Sequence, residues 1–277
     1  MGGARKPSQA RDRAIGALLR TIRTERTDLS LEQAAAAVGI STPTLSRTEN
    51  GKRHITVEDV ASLLTVYKVP YAERESICAT VRAPNLPGWW SRPLPGVTAD
   101  VGTLAGYEAT ANVVTNWSNA LVPGMLQTCA YAMGFMKIDG ASDAEAEMRW
   151  LARLRRQQVL PTIDYTAFIH EAVLHTAYGG REALAEQLSH LHDVGTRGVG
   201  VRIVRRQPHA AMLHSWMLIE FPSCPPIVHV ELQRSSVDLH DEEVDVYLGL
   251  RSTLNKIALS AAESRSMIER LIERVSP

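Results

Sequence analysis

Three cysteines in 277 residues are too few and too scattered to organise this chain. Cys78, Cys129 and Cys224 are odd in number and share no metal or redox spacing, so a disulfide framework and a zinc ribbon are both excluded. All three are expected to pack as small apolar residues in a reducing compartment. No window approaches the ~20 uninterrupted apolar residues of a membrane-spanning helix. The opening MGGARKPSQARDR has basic residues with no apolar stretch behind them, so no secretory signal is expected. Lys6 stands where a myristoylation signal takes Ser or Thr. A cytoplasmic location without a membrane partner is the expectation.

Net charge is also missing, since 30 Lys and Arg balance 30 Asp and Glu. The balance hides an asymmetry. Residues 1–56 hold 10 of the cations and only 5 of the anions, which leaves the remainder at −5. A basic front on an acidic body points to an anionic partner for the front.

No catalytic set is visible either. HEAVLH (170–175) resembles a zinc-protease signature, but His170 and His175 are five apart, about 140° around a helix, where the chemistry needs two histidines four apart on one face. His190, His192 and Asp193 fall together, as do His209 and His214, and neither group completes a ligand set. Cys129 and Cys224 have no base partner in view, and there is no phosphate-binding glycine loop. The chain is expected not to be an enzyme and to carry no cofactor or metal.

What is present is 45% hydrophobic and 22% charged, the balance of a globular chain with a real core. Helical spacing runs over 10–26 through Ile15, Leu18, Leu19 and Ile22. Ser30 with Gln33 makes a capping box for a second helix carrying Leu31, Ala35 and Val38. GISTPTLSRTENGK (39–52) then reads as a turn and a third helix at about 42–50, with Ser41 or Thr42 as its cap. Pro43 mildly favours Thr42 by pushing it toward extended geometry. Val57, Val60, Ala61 and Leu64 mark a fourth helix, and 71–82 a fifth. APNLPGWWSRPLPGVTAD (83–100) is a Pro-rich, Trp-bearing linker.

Beyond it, helical patterns fall near 103–119, 125–137, 143–158 and 181–194. Strand alternation falls at 162–170, 198–204, 214–221 and 226–233, and two helices follow at 241–258 and 260–274. The acidic run 238–246 is read as the start of the first of these two. The expected fold class is α+β overall: an all-α five-helix head (1–82), the linker (83–100), and an α+β domain (101–277) with a mostly antiparallel sheet flanked by helices.

The second and third helices carry the functional reading. Ala35 is small where two backbones must approach, Gly39 supplies the positive φ of a sharp exit, and Ile40 and Leu45 fill the space between: the requirements of a helix-turn-helix. With Leu45 and Thr48 turned inward, Thr44 and Arg47 face out, flanked by Pro43 and Ser46. Small residues let the helix approach the ~12 Å major groove closely, and Arg47 can bond guanine bidentately. Ser41, Asn50, Lys52 and Arg53 are candidate phosphate contacts, which give affinity and register but not sequence. Arg23 could touch phosphate or pair with Glu49, and the ion pair is preferred.

On these residues, 12–68 resemble the five-helix DNA-binding domain of the phage repressor and Cro class, the XRE type. The resemblance implies Thr42, Pro43, Thr44, Ser46 and Arg47 as base-facing positions and double-stranded operator DNA as partner. Leu31 stands where that family often has a phosphate-clamping Gln. PGWW (87–90), LVPGMLQT (121–128), RLRRQQVL (153–160) and IHEAVL (169–174) further resemble actinomycete regulators that join such a head to an uncharacterised C-terminal domain. That resemblance puts Glu171 at a strand-to-helix junction; with Trp117 and Trp216 it forms the candidate ligand-pocket set, although such aromatics belong to cores more often than to pockets.

The whole reads as a sequence-specific transcriptional regulator. It would be a homodimer holding two heads about one helical turn apart on a two-fold operator, with the C-terminal domain sensing a small-molecule effector or a partner. The alternative is an antitoxin-like or anti-regulator switch, in which a small companion protein captures the C-terminal domain and DNA binding is autoregulatory.

Overall fold

The computed structural model describes residues 10–82, 99–222, 224–233 and 235–275, in two compact units. The basic tail and the Trp89–Trp90 stretch of the expected linker lie outside the described residues; the linker's last two positions, Ala99 and Asp100, open a helix of the second unit.

The first unit holds five helices: α1 (Ala10–Arg26), α2 (Leu31–Ala37), α3 (Thr42–Glu49), α4 (Val57–Val66) and α5 (Tyr71–Arg82). Helices of seven and eight residues, such as α2 and α3, are unstable alone in water, so packing must hold them. Ile15, Leu19 and Ile22 of α1, Ala34 and Ala35 of α2, Leu45 of α3, and Val60, Leu63 and Leu64 of α4 form one buried cluster. Capping boxes start α2 (Ser30 with Gln33) and α4 (Thr56 with Asp59). Buried Asp12 ties α1 to the segment before α4: it accepts from the Ile55 amide at 3.1 Å and lies 3.3 Å from His54 Nδ1.

The second unit is a single mixed sheet with helices. In chain order it runs α6 (Ala99–Glu108), β1 (Val113–Ser118), α7 (Cys129–Ile138), α8 (Asp143–Gln157), β2 (Asp164–His170), α9 (Arg181–Thr196), β3 (Gly200–Val204), β4 (Trp216–Glu220), β5 (Ile227–Glu231), β6 (Ser236–Leu239), α10 (Glu242–Ile257) and α11 (Ala261–Val275). The strand order is β3-β2-β1-β4-β5-β6. β1, β2 and β3 are mutually parallel, and β1-β4-β5-β6 are antiparallel.

This corrects the expected mostly antiparallel sheet. The helical pattern read over 103–119 is in fact α6 followed by β1, the central strand. β1 is buried along five of its six residues, so VVTNWS shows no alternation of apolar and polar to announce a strand. The β6 edge, SVDL, is only four residues long and was read into the following helix, which begins at Glu242.

One sheet face carries Trp117, Phe168, Val204, Trp216, Leu218 and Val228 under Val244, Tyr247 and Leu254 of α10. α9 and α11 pack on one another and on β3. Within RLRRQQVL, Arg156 of α8 meets Glu108 of α6 in a bidentate pair at 2.7 and 2.8 Å, both side chains 5% exposed or less. Burial pushes its neighbour Arg153 down to about 10.

Candidate nucleic-acid interface

The turn between α2 and α3 is built from backbone bonds. Gly39, at φ +73°, donates to Ala36 O at 3.1 Å, and Ile40 donates to Ala35 O at 3.0 Å. This is the six-to-one and five-to-two closure that needs a left-handed residue at the helix exit. It also turns Ile40 onto the core. α3 closes the same way, through Gly51 (φ +61°), with Gly51 donating to Thr48 O at 3.0 Å and Lys52 to Arg47 O at 2.8 Å.

The cap of α3 is Ser41, not Thr42. Ser41 is extended (φ −74°, ψ 147°), and its hydroxyl accepts from the Thr44 amide at 3.3 Å. Pro43 lacks an N–H in the first turn whichever residue caps, so its pull on Thr42 did not decide the matter. The Ser41 hydroxyl also meets the Thr44 hydroxyl at 2.8 Å.

Leu45, Thr48 and Glu49 are the buried side of α3. Pro43 and Arg47 are exposed, and Thr42, Thr44 and Ser46 are half-buried beside them. Arg47 lies along the helix surface, Nε donating to Pro43 O at 3.1 Å and Nη2 reaching Thr44 Oγ1 at 3.4 Å. The five expected base-facing residues thus share the outer side and first turns of one short helix.

The flanking cations are less uniform. Lys52 is exposed. Arg53 is half-buried, donating to Thr48 Oγ1 at 3.2 Å and pairing with Asp59 at 3.0 Å, so it braces α3 against α4. Asn50 caps α3 and accepts from Arg20 at 3.3 Å. Arg20, exposed on α1, was not singled out from sequence; its i, i+3 spacing to Arg23 was the available signal.

Arg23 pairs with Glu49, as preferred. Nε meets Oε1 at 2.7 Å and Nη2 meets Oε2 at 2.8 Å, while Tyr67 donates to the same carboxylate at 3.2 Å. The hydrogen bond to Glu49 holds the Arg23 guanidinium above its ordinary range, against the opposing effect of burial. Burial, then the Glu49 charge, raises the Tyr67 phenol well above its usual value. α1 comes close enough for this only because position 16 is glycine: a Cβ there would lie 2.9 Å from Glu49 O and nearer still to Thr48 O.

In the second unit, Trp117 and Trp216 are fully buried and are cross-strand partners in the β1–β4 register. Glu171 follows β2 directly, where a short 3-10 turn begins, and accepts from the Arg206 amide at 3.4 Å. Among the described residues no group of three or more His, Cys, Asp or Glu could hold a metal, and no helix is long and apolar enough to cross a membrane. The cysteines do not all pack away: Cys78 is buried, Cys224 half-buried and Cys129 exposed at the first residue of α7.

A helix-turn-helix domain model matches residues 14–77, and a model described as a domain of unknown function, DUF5753, matches residues 101–270. None of the curated proteins matches. Among solved structures, the crystal structure of the clp gene regulator ClgR from C. glutamicum is similar, at 27% identity over 28% of this chain and 97% of its own, with a TM-score of 0.23. The chain belongs to the DUF5753 family and carries a helix-turn-helix domain in front of it.

Proposed function

We propose that this protein is a sequence-specific DNA-binding transcriptional regulator of the repressor and Cro type and not an enzyme. α3 enters the major groove, and the DUF5753 domain joins two copies and senses an effector. The observation that carries the reading is the division of α3. Leu45, Thr48 and Glu49 anchor it, while Arg47 stands exposed beside Thr44 and Ser46. A surface helix is polar on its outer side in any case; what supports the reading is that this one follows the tight α2–α3 turn and surrounds Arg47 with short side chains at its first turns.

In this reading Arg47 lets go of Pro43 O and reaches a guanine edge. Giving up one exposed bond costs about 1 kcal/mol, and a bidentate base contact returns about 1–3 kcal/mol of discrimination. Thr42, Pro43, Thr44 and Ser46 supply close approach and methyl or hydroxyl contacts. Ser41, Lys52, Asn50 and Arg20 contact the sugar-phosphate rails; Arg53 does so only from within its bond to Asp59.

The test is selection of bound duplexes from a random pool, followed by affinity measurement across a salt series. Arg47→Ala should weaken the selected site by about 5- to 150-fold and relax one base position. Lys52→Ala should weaken all duplexes alike and lower the salt slope by about one. A protein that selects no sequence and binds no duplex at low salt would end this reading.

A further inference from the structure

We propose that the second unit binds a small carboxylate at the end of its sheet where β1, β2 and β3 terminate. The ligand would be held by the indole N–H groups of Trp117 and Trp216 and by the imidazoles of His170 and His209. The proposal rests on the reading that this domain senses an effector, and it names that effector's class.

The site is visible as a surplus of donors. Five of the eight buried side-chain polar atoms without a hydrogen-bond partner among the described residues lie here: Trp117 Nε1, Trp216 Nε1, His170 Nε2 and both nitrogens of His209. They are neighbours. Trp117 and Trp216 sit opposite one another across β1 and β4, on the same face of the sheet. The Trp117 ring centroid is 6.3 Å from His170 and 5.1 Å from His209, both edge-on. Trp117, Trp216 and His170 are 0%, 2% and 7% exposed.

The tautomer of His170 follows from its other side. Its Nδ1 accepts from the Ala172 amide at 3.2 Å, so in the neutral ring the proton is on Nε2, and that N–H has no acceptor. Burial keeps both His170 and His209 below the usual histidine value, and the rings are neutral at pH 7. A neutral His209 contributes one donor and one acceptor. The count is four N–H donors against one acceptor nitrogen. Each unmet buried donor costs about 1–3 kcal/mol, and an N–H aimed at a ring face recovers only a fraction of that. A carboxylate offers two oxygens with about four lone-pair sites and no donor, which matches the surplus. Beyond His170, the Arg206 amide donates to the Glu171 carboxylate at 3.4 Å.

Topology lays a strap over this end of the sheet. β3 lies at one edge of the sheet and β4 on the far side of β1, so the chain between them, residues 205–215, must cross the ends of β2 and β1. His209 rides on this strap. Its 3-10 turn leaves Leu213 89% exposed, and Asn119 fastens its far end through Met212 O at 2.8 Å and Ser215 Oγ at 2.8 Å. In open parallel α/β sheets ligands sit outside the carboxyl ends of the strands, and the carboxyl ends of the three parallel strands β1, β2 and β3 lie here. The surroundings are apolar, with Phe168, Val204 and Ala211 in the same buried cluster.

The experiment uses the full chain labelled with nitrogen-15, whose five tryptophans each give an indole resonance. Trp117→Phe, Trp150→Phe and Trp216→Phe assign three of them. Acetate and benzoate are titrated, with benzylammonium as the control that brings no acceptor. The expected result is a downfield shift of the Trp117 and Trp216 indole protons with benzoate or acetate near 1 mM, a weak affinity of about −4 kcal/mol. The Trp150 resonance should stay in place, and benzylammonium should move none of them.

His209→Phe, which removes two unmet polar atoms, should melt no lower than the parent without ligand and should weaken the carboxylate response at least tenfold. Three results would overturn the proposal: no indole shift with either acid at ten times that concentration, cross-relaxation of both indoles with water alone, or a His209→Phe protein that melts lower and responds as before. Duplex binding is measured in parallel. Shifted indoles without DNA binding would sink the regulator and leave the site standing; DNA binding without shifts does the reverse.

Discussion

Replacing Glu49 by Gln removes one charge and almost no volume, and it tests what holds α3 in place. Glu49 is the last residue of α3, and its carboxylate receives two bonds from Arg23 and one from Tyr67. The Arg23 and Glu49 side chains are 12% and 3% exposed, so water cannot replace the lost charge. Breaking one side of a buried pair costs about 3–5 kcal/mol; a Gln oxygen keeps one acceptor in place, which puts this case near 3. For a head of this size each kcal/mol moves the midpoint by roughly 4–8 °C, so its melting should fall by about 12–24 °C.

The assay is thermal unfolding of the full chain followed by circular dichroism, in which the head's transition is identified as the one that specific duplex DNA shifts. Operator affinity is measured well below that transition. Affinity should fall no more than the loss of folded head accounts for, and the salt slope should not rise. If Glu49→Gln left the midpoint unchanged and steepened the salt slope, Arg23 would be a phosphate contact released from a decorative pair, and the assignment of α1 would have to be redrawn.

Gly16→Ala should destabilise the head by several kcal/mol in denaturant titration, because the new methyl meets Thr48 O and Glu49 O, backbone atoms that cannot step aside. Gly39→Ala, where nothing crowds the missing side chain but φ is +73°, should cost only about 1–2 kcal/mol, from left-handed strain alone. Ser41→Ala should cost about 0.5–2 kcal/mol and Ser41→Asp much less, since either cap oxygen can accept from the Thr44 amide. In the second unit, burial raises the Asp238 carboxyl, but hydrogen bonds from His229 at 2.7 Å and Tyr107 at 3.2 Å outweigh it and leave the group below its ordinary 3.8. A depressed carboxylate stabilises above its unfolded value and loses that contribution as pH falls through the folded one, so acid unfolding below about pH 4 should be less steep in Asp238→Asn.

The head could be read from sequence because its information is local. Ser30 with Gln33, Gly39, and the Leu45–Thr48–Glu49 spacing each fix a cap, a turn or a buried side within a few residues, and together they leave one packing for α2 and α3. Arg23 and Glu49 were legible as a pair because α1 and α3 must cross in that packing. The second unit depends on distant partners. VVTNWS is buried on both faces and has no period, so its role as the central strand is set by β2 and β4, fifty and a hundred residues away. Losing β1 from the reading removed one of the two parallel pairings, β1–β2; the other, β2–β3, was legible as the strand, helix and strand over 162–204, the pattern of a parallel crossover. The loss of β1 also hid the register that places Trp117 against Trp216 and brings His170 to the same end. The two tryptophans and the histidine residues were each noticed in the sequence, but only strand order makes them one place. Where a site is assembled from the ends of several strands, the residue types can be picked out in advance, and the site itself cannot be until the pairing is known.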